Sequence, residues 1–315
     1  MSSSRPPVKT LFVLGAGASK AFGLPTANEL RDLMINDACS PPSAGPDRDT
    51  PEAQRHERSR AAAFATHLRS SGQASIDAFL EKRKEFRDIG LFNIARFLLP
   101  AQDRAIGRHA VCTDWLRWIF LKCLNSQTQL ETGAVGFITF NYDITLEAGL
   151  AFMIGASFSL AIPQAVEIVR ALPIVHPYGQ LDIDVLGALA RPGHAGDRKP
   201  HEFVDAGRTI RIMGDRVEGP VDRIEAACTL FEQAAQVVFL GFGYDDTNLR
   251  RIGIECLSDE STPRVKRISG TAFGLHRAER EVVASTLRMT HNTLGLSTQG
   301  CEEFLRDQVA DWSLT

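Results

Sequence analysis

The chain has 315 residues, of which 44% are hydrophobic and 23% charged, enough apolar material to bury the core of one large domain or two small ones. Its formal net charge of −3 provides no basic surplus for bulk binding to nucleic acid or an anionic membrane, so neither is expected as a partner. The 6 cysteines (Cys39, Cys112, Cys123, Cys228, Cys256 and Cys301) include no C-x-x-C pair, which argues against a zinc ribbon and a disulfide framework; free thiols in a reducing cytoplasm are expected, with no bound metal.

Along the chain, the polar start MSSSRPPVKT gives way to the apolar run Leu11–Leu14, too short for a signal peptide or a spanning helix. Glycines follow, and helical patterning begins near Thr26, so this is a strand, a glycine turn and a helix. Ser40–Asp49 is rich in proline and glycine and reads as a loop. Helical spacing then recurs over Pro51–Arg69, Ser75–Phe86, Ile89–Leu99 and Val111–Leu124, a helical insertion at about residues 51–125.

Val135–Phe140 is predicted as a second strand, with Asn141 starting the turn into another helix, and Leu172–Val175 as a third, leading straight into His176. Asp182–Arg211 is poorly patterned, and its RPGHAGDRKPHE segment reads as a loop. Val221–Ala234 is helical and Gln236–Leu240 a fourth strand ending in the turn Gly241–Gly243. Helix over Asp246–Ile254, a last strand over Val265–Phe273 and a helix over Arg277–Leu287 complete the pattern. Strands alternating with helices predict a single α/β domain over residues 1–315, Rossmann-like, with a parallel sheet covered on both faces. In such folds ligands bind beyond the carboxyl ends of the strands, and every chemistry-bearing motif here sits at such an end.

The first of these is Gly15-Ala16-Gly17-Ala18-Ser19, a loop that lets a pyrophosphate approach the backbone and a helix N-terminus; Ser19 adds a hydroxyl. Lys20 stands where the dinucleotide fingerprint needs its third glycine, which disfavours a conventional dehydrogenase; the bland alternative is a tight turn without a ligand. Thr139, Asn141 and Asp143 line a strand end, although Asn and Asp there also serve simply to start a helix. His176 ends an apolar strand, where a group titrating near neutral pH is either a proton acceptor or a structural histidine. Gly241 and Gly243 permit close approach at the fourth strand end, and Asp245 or Asp246 caps the next helix or meets a ligand.

Taken in order, Gly15-Ala16-Gly17-Ala18-Ser19 with Gly23-Leu24-Pro25-Thr26, then Thr139-x-Asn141-x-Asp143, His176-x-x-Gly179 and Gly241-Phe242-Gly243 with Asp246 and Leu249, resemble the sirtuin superfamily. The Asp-Phe-Arg sequence of deacylase sirtuins is replaced by Thr26-Ala27-Asn28, and a four-cysteine zinc module is absent, so the chain looks more like the divergent bacterial branch with antiphage NAD hydrolases. That resemblance implies NAD+ as substrate, cleaved at the nicotinamide–ribose bond to nicotinamide and ADP-ribose or a cyclic form. It implies Asn141 and His176 as catalytic residues, Asn141 orienting water or ribose and His176 acting as base. It implies Gly15, Ala16, Gly17, Ser19, Pro25, Thr26, Thr139, Asp143, Gly241, Gly243 and Asp246 as the NAD-binding set, with Asp143 holding the nicotinamide-side ribose or helping to shape that pocket. It also implies a homo-oligomer restrained or triggered by a separately encoded partner, such as a HerA-type ATPase, a short Argonaute or a phage protein. A protein deacylase and a non-catalytic NAD or ADP-ribose sensor are the alternatives.

Overall fold

The computed structural model describes residues 8–36, 51–132, 134–182, 184–190, 198–212, 223–258, 267–289, 294–295 and 298–308. The expected loop at Ser40–Asp49, the Arg191–Asp197 part of the second expected loop, and Cys39 lie outside them.

Five parallel strands form the sheet: β1 (Thr10–Leu14), β2 (Val135–Thr139), β3 (Ile174–Val175), β4 (Gln236–Leu240) and β5 (Arg267–Gly270), in the order β3-β2-β1-β4-β5. The α/β reading of the sequence holds. Every residue of β1, β2 and β4 is buried, as a strand covered on both faces requires, which is why these strands are apolar runs rather than alternating patterns. Along β1, Phe12 and Leu14 pack on one face with Trp115, Ile119 and the helix Thr145–Phe158, while Leu11 and Val13 pack on the other with Phe231 of the helix Arg223–Gln233. The chain leaves β1 to one side for β2 and β3, then returns to the other side for β4 and β5. The switch point of the sheet therefore falls between β1 and β4.

Several boundaries differ from the sequence expectation. The third strand is cut to Ile174–Val175, because only these residues pair with Phe137 and Ile138 of β2; the last strand ends at Gly270 rather than Phe273, and its expected first residues, Val265 and Lys266, lie outside the described residues. The helix expected to stop at Leu99 runs through Pro100 to Gly107, held by burial of residues such as Leu98, Ala101 and Ile106 on either side of the proline. Packing there outweighs the proline's lost N–H, a cost of about 3 kcal/mol. The poorly patterned region contains helices Val185–Leu189 and Pro200–Thr209. The latter packs on the helix Arg87–Gly107 so closely that Gly207 lies against the Leu91 backbone.

The insertion builds a core of its own. Phe64, Phe79, Leu80, Phe86, Ile89 and Leu99 cluster there, and the cluster reaches the sheet's carboxyl edge through Tyr142 and Tyr178. Its apolar helix faces are divided between this core and, through residues such as Ile106, Trp115 and Ile119, the core on one face of the sheet. Among the described residues no helix is long and apolar enough to cross a membrane.

Candidate active site at the strand ends

The sheet delivers the expected residues to one edge. Gly15 follows β1, Asn141 lies two residues past β2, His176 directly follows β3 and Gly241 directly follows β4.

The two glycine turns meet at the switch point. Gly15 N–H donates to Leu240 O (3.0 Å) and Gly17 N–H to Gly241 O (2.9 Å), while Ala18 N–H bonds back to Gly15 O (2.9 Å). A Cβ on Gly15 would sit 2.6 Å from Gly241 O, and one on Gly17 would sit 2.8 Å from Gly241 Cα. Gly241 has φ +56 and would drive a side chain into Ala18 N–H. These three glycines are therefore demanded by the approach of one turn to the other, and the N–H groups of Gly15, Gly17 and Ala18 are engaged within the protein. Gly243 is different: it is exposed and has open space where a side chain would stand.

A buried polar group lies beside the turns. Asn141 Nδ2 donates to Gly15 O (3.0 Å) and to Ser19 Oγ (2.9 Å), and Ser19 Oγ donates to Asp143 Oδ2 (2.8 Å). The other Asp143 oxygen accepts from the Thr145 N–H (3.1 Å) and from the Thr145 hydroxyl. Thr139 Oγ1 accepts from the Asn141 backbone N–H (3.2 Å) and so fixes the turn leaving β2. Burial raises the Asp143 carboxyl above the ordinary aspartate value, against the lowering effect of the Thr145 and Ser19 hydrogen bonds. With both oxygens bonded and only 6% of the residue exposed, Asp143 braces Ser19 and the start of the next helix. Both amide hydrogens of Asn141 are thus taken, and its side-chain oxygen has no hydrogen-bond partner among the described residues.

His176 is 6% exposed. Its Nδ1 lies 3.1 Å from Asn141 O and its Nε2 lies 2.7 Å from Glu147 Oε1. Burial, the largest single influence, pushes the ring's pKa down, but Glu147, the Asn141 carbonyl and Asp143 together outweigh it, and the ring sits above the ordinary histidine value. Glu147 was missed by the sequence analysis. Its signal was there: it is the one charged side chain in the otherwise apolar helix Thr145–Phe158, TLEAGLAFMIGASF.

Four expected site residues are occupied locally or stand apart. Thr26 and Glu29 form a reciprocal helix start, with Thr26 N–H donating to Glu29 Oε2 (2.9 Å) and Glu29 N–H to Thr26 Oγ1 (3.4 Å). Pro25, half-buried, precedes them. Asp246 is exposed in the first turn of the helix Asp246–Arg251, which is capped by Asp245 through Thr247 N–H (2.9 Å) and Asn248 N–H (3.2 Å). Ala16, half-buried, lies between the two engaged glycines.

No known protein-family model and no curated protein matches the chain.

Aromatic rings close the edge between β2 and β4. Phe140 meets Tyr178 edge-on (5.5 Å) and Phe242 at a tilt (5.3 Å), and Tyr178 is anchored to Asn248 by its hydroxyl (2.5 Å). Tyr178 and Phe242 are buried, so these rings serve as core packing at the strand ends.

Proposed function

We propose that this chain binds NAD+ at the carboxyl edge of its sheet and hydrolyses the nicotinamide–ribose bond. The observation that carries the proposal is the convergence of Asn141, Ser19, Asp143 and His176, from the ends of three strands, in one hydrogen-bonded group. These are the positions on which the sirtuin resemblance rests.

The chemistry asks little beyond this. The bond breaks through an oxocarbenium-like state with nicotinamide as a good leaving group. A water oxygen then bonds to the ribose C1′, its proton passes to solvent, and nicotinamide and ADP-ribose are released. An enzyme contributes by holding the ribose and placing one water. A side-chain carbonyl fixed as that of Asn141 is an acceptor suited to either task. Gly243, exposed and unobstructed, permits close approach of a phosphate or ribose beside the β4 turn. Deployment as an NAD-depleting antiphage effector, self-association and a separately encoded activator belong to this proposal through the resemblance.

A non-catalytic NAD or ADP-ribose sensor is the second reading. It is favoured by one observation, that both nitrogens of His176 are already engaged inside the protein.

Nicotinamide release from NAD+ by the purified chain, measured beside Asn141→Ala and His176→Ala with thermal melts of each, separates the two. Release that disappears in a variant melting near wild type is the expected result. Tight ADP-ribose binding without release, in the presence of an activating partner, would replace hydrolysis with sensing. Neither binding nor release would overturn both.

A further inference from the structure

We infer that Glu147 is a positioning residue, which holds His176 protonated on both ring nitrogens and through it fixes the Asn141 peptide. The consequence for turnover rests on the proposed hydrolase; the state of the ring does not.

Geometry assigns the protons. Asn141 O is a carbonyl oxygen and only accepts, so the Nδ1 that faces it at 3.1 Å carries hydrogen. Nε2 faces a carboxylate oxygen at 2.7 Å, so a second proton is shared along that line, and a carboxylate partner draws it to the imidazole. The charged groups acting on the ring are Glu147, from the helix Thr145–Phe158, and Asp143, from the turn before it; both favour imidazolium.

The arrangement carries a cost that a merely structural contact would avoid. Glu147 is 7% exposed, and its second oxygen, Oε2, is buried without a hydrogen-bond partner among the described residues. A neutral glutamine would bond His176 without burying charge. What the carboxylate adds is a charge-assisted bond from Nδ1 to Asn141 O. Asn141 is then held at its backbone N–H by Thr139, at its carbonyl by His176 and at its side chain by Gly15 and Ser19. A doubly protonated ring has no lone pair with which to take a proton. The role expected from the sequence, His176 as base, is thereby replaced by one in which it orients Asn141.

The two roles predict opposite pH dependence. A base must lose its proton to work, so nicotinamide release would fall on the acid side of its pKa. A positioning imidazolium must keep its proton, so release falls on the alkaline side, and the isosteric Glu147→Gln moves that fall down toward the ordinary histidine value of about 6.5. Glu147→Gln is also expected to lower kcat by roughly tenfold or more with little change in KM, as for lost orientation rather than lost binding.

The decisive experiment is nitrogen-15 NMR of the full chain labelled at histidine, with the His176 signals assigned by their loss in His176→Gln. Two protonated ring nitrogens at pH about 7.5 in wild type, where an ordinary histidine is mostly neutral, are the expected result. A ring nitrogen bearing a lone pair under those conditions would overturn the inference, whether or not the protein hydrolyses NAD+. Release that falls on the acid side in wild type would overturn it too. A chain that binds no NAD+ and releases no nicotinamide would refute the hydrolase proposal and leave the NMR result to decide the ring.

Discussion

Ser19 and Asn141, 122 positions apart in the chain, share a hydrogen bond of 2.9 Å, and Ser19 spends its own proton on Asp143. One hydroxyl thus ties the turn after β1 to the turn after β2. Ser19→Ala leaves an Asp143 oxygen and an Asn141 hydrogen unpaired where water does not reach. A loss of about 1–3 kcal/mol in unfolding free energy is expected, read from the denaturant midpoint at unchanged slope. A loss below about 0.5 kcal/mol would show that the relay carries no stability.

The two glycines of the β4 turn separate fold from ligand approach. Gly241→Ala forces a side chain into the Ala18 backbone at a φ of +56 and is expected to cost about 3 kcal/mol or more. Gly243→Ala meets open space, and its melting temperature is expected to stay near wild type. If NAD+ passes close to this turn, Gly243→Ala nonetheless weakens its binding by roughly tenfold, about 1.4 kcal/mol, measurable by calorimetry. Equal affinity in the variant would move the nucleotide away from the turn.

Tyr142 couples the site to the helical insertion. Its hydroxyl contacts Asp77 Oδ1 and also lies 2.9 Å from Arg211 O. With one hydrogen between two acceptors, the group is complete when Asp77 is protonated, and burial raises the Asp77 carboxyl in that direction. Asp77→Asn, which supplies N–H in place of O–H, is expected to change stability by less than about 0.5 kcal/mol. Tyr142→Phe is expected to cost about 1–3 kcal/mol and to speed hydrogen exchange in the helix Ile76–Lys82. Comparable losses in both variants would mean that Asp77 is ionised.

The buried pair also fixes the sign of a pH effect on stability. His176 has a raised value in the folded protein, so it adds stability that is fully present below the unfolded histidine value of about 6.5 and is lost as pH rises through the folded value. Melting temperature is therefore expected to fall as pH rises above about 6.5, and less steeply in Glu147→Gln. Asp143 and Asp77, also raised, act with the same sign from their unfolded value near 3.9 upward. Glu147→Ala strands the imidazolium and is expected to cost about 3–5 kcal/mol. A pH profile unaltered by Glu147→Gln would separate the carboxylate from the titration.

The sequence determined the class of fold and the places where chemistry gathers. Apolar runs closed by glycine or by Asn and His identify β1, β2 and β4 and put Gly15, Asn141, His176 and Gly241 at strand ends, because a strand covered on both faces has to be apolar throughout and polar only where it stops. Local pattern also carried the helix start at Thr26 and Glu29 and the cap at Asp245, since both partners lie within three residues. Tertiary structure decided what those residues do. That Gly15 and Gly17 serve Gly241 depends on a pairing of β1 with β4 across more than 200 residues of chain, which spacing does not encode. That Asp143 braces Ser19, and that His176 faces Glu147 rather than an open cleft, depends on how a helix docks against two strand ends. Periodicity names the residues that must be buried; only the docked elements decide which buried polar groups satisfy one another.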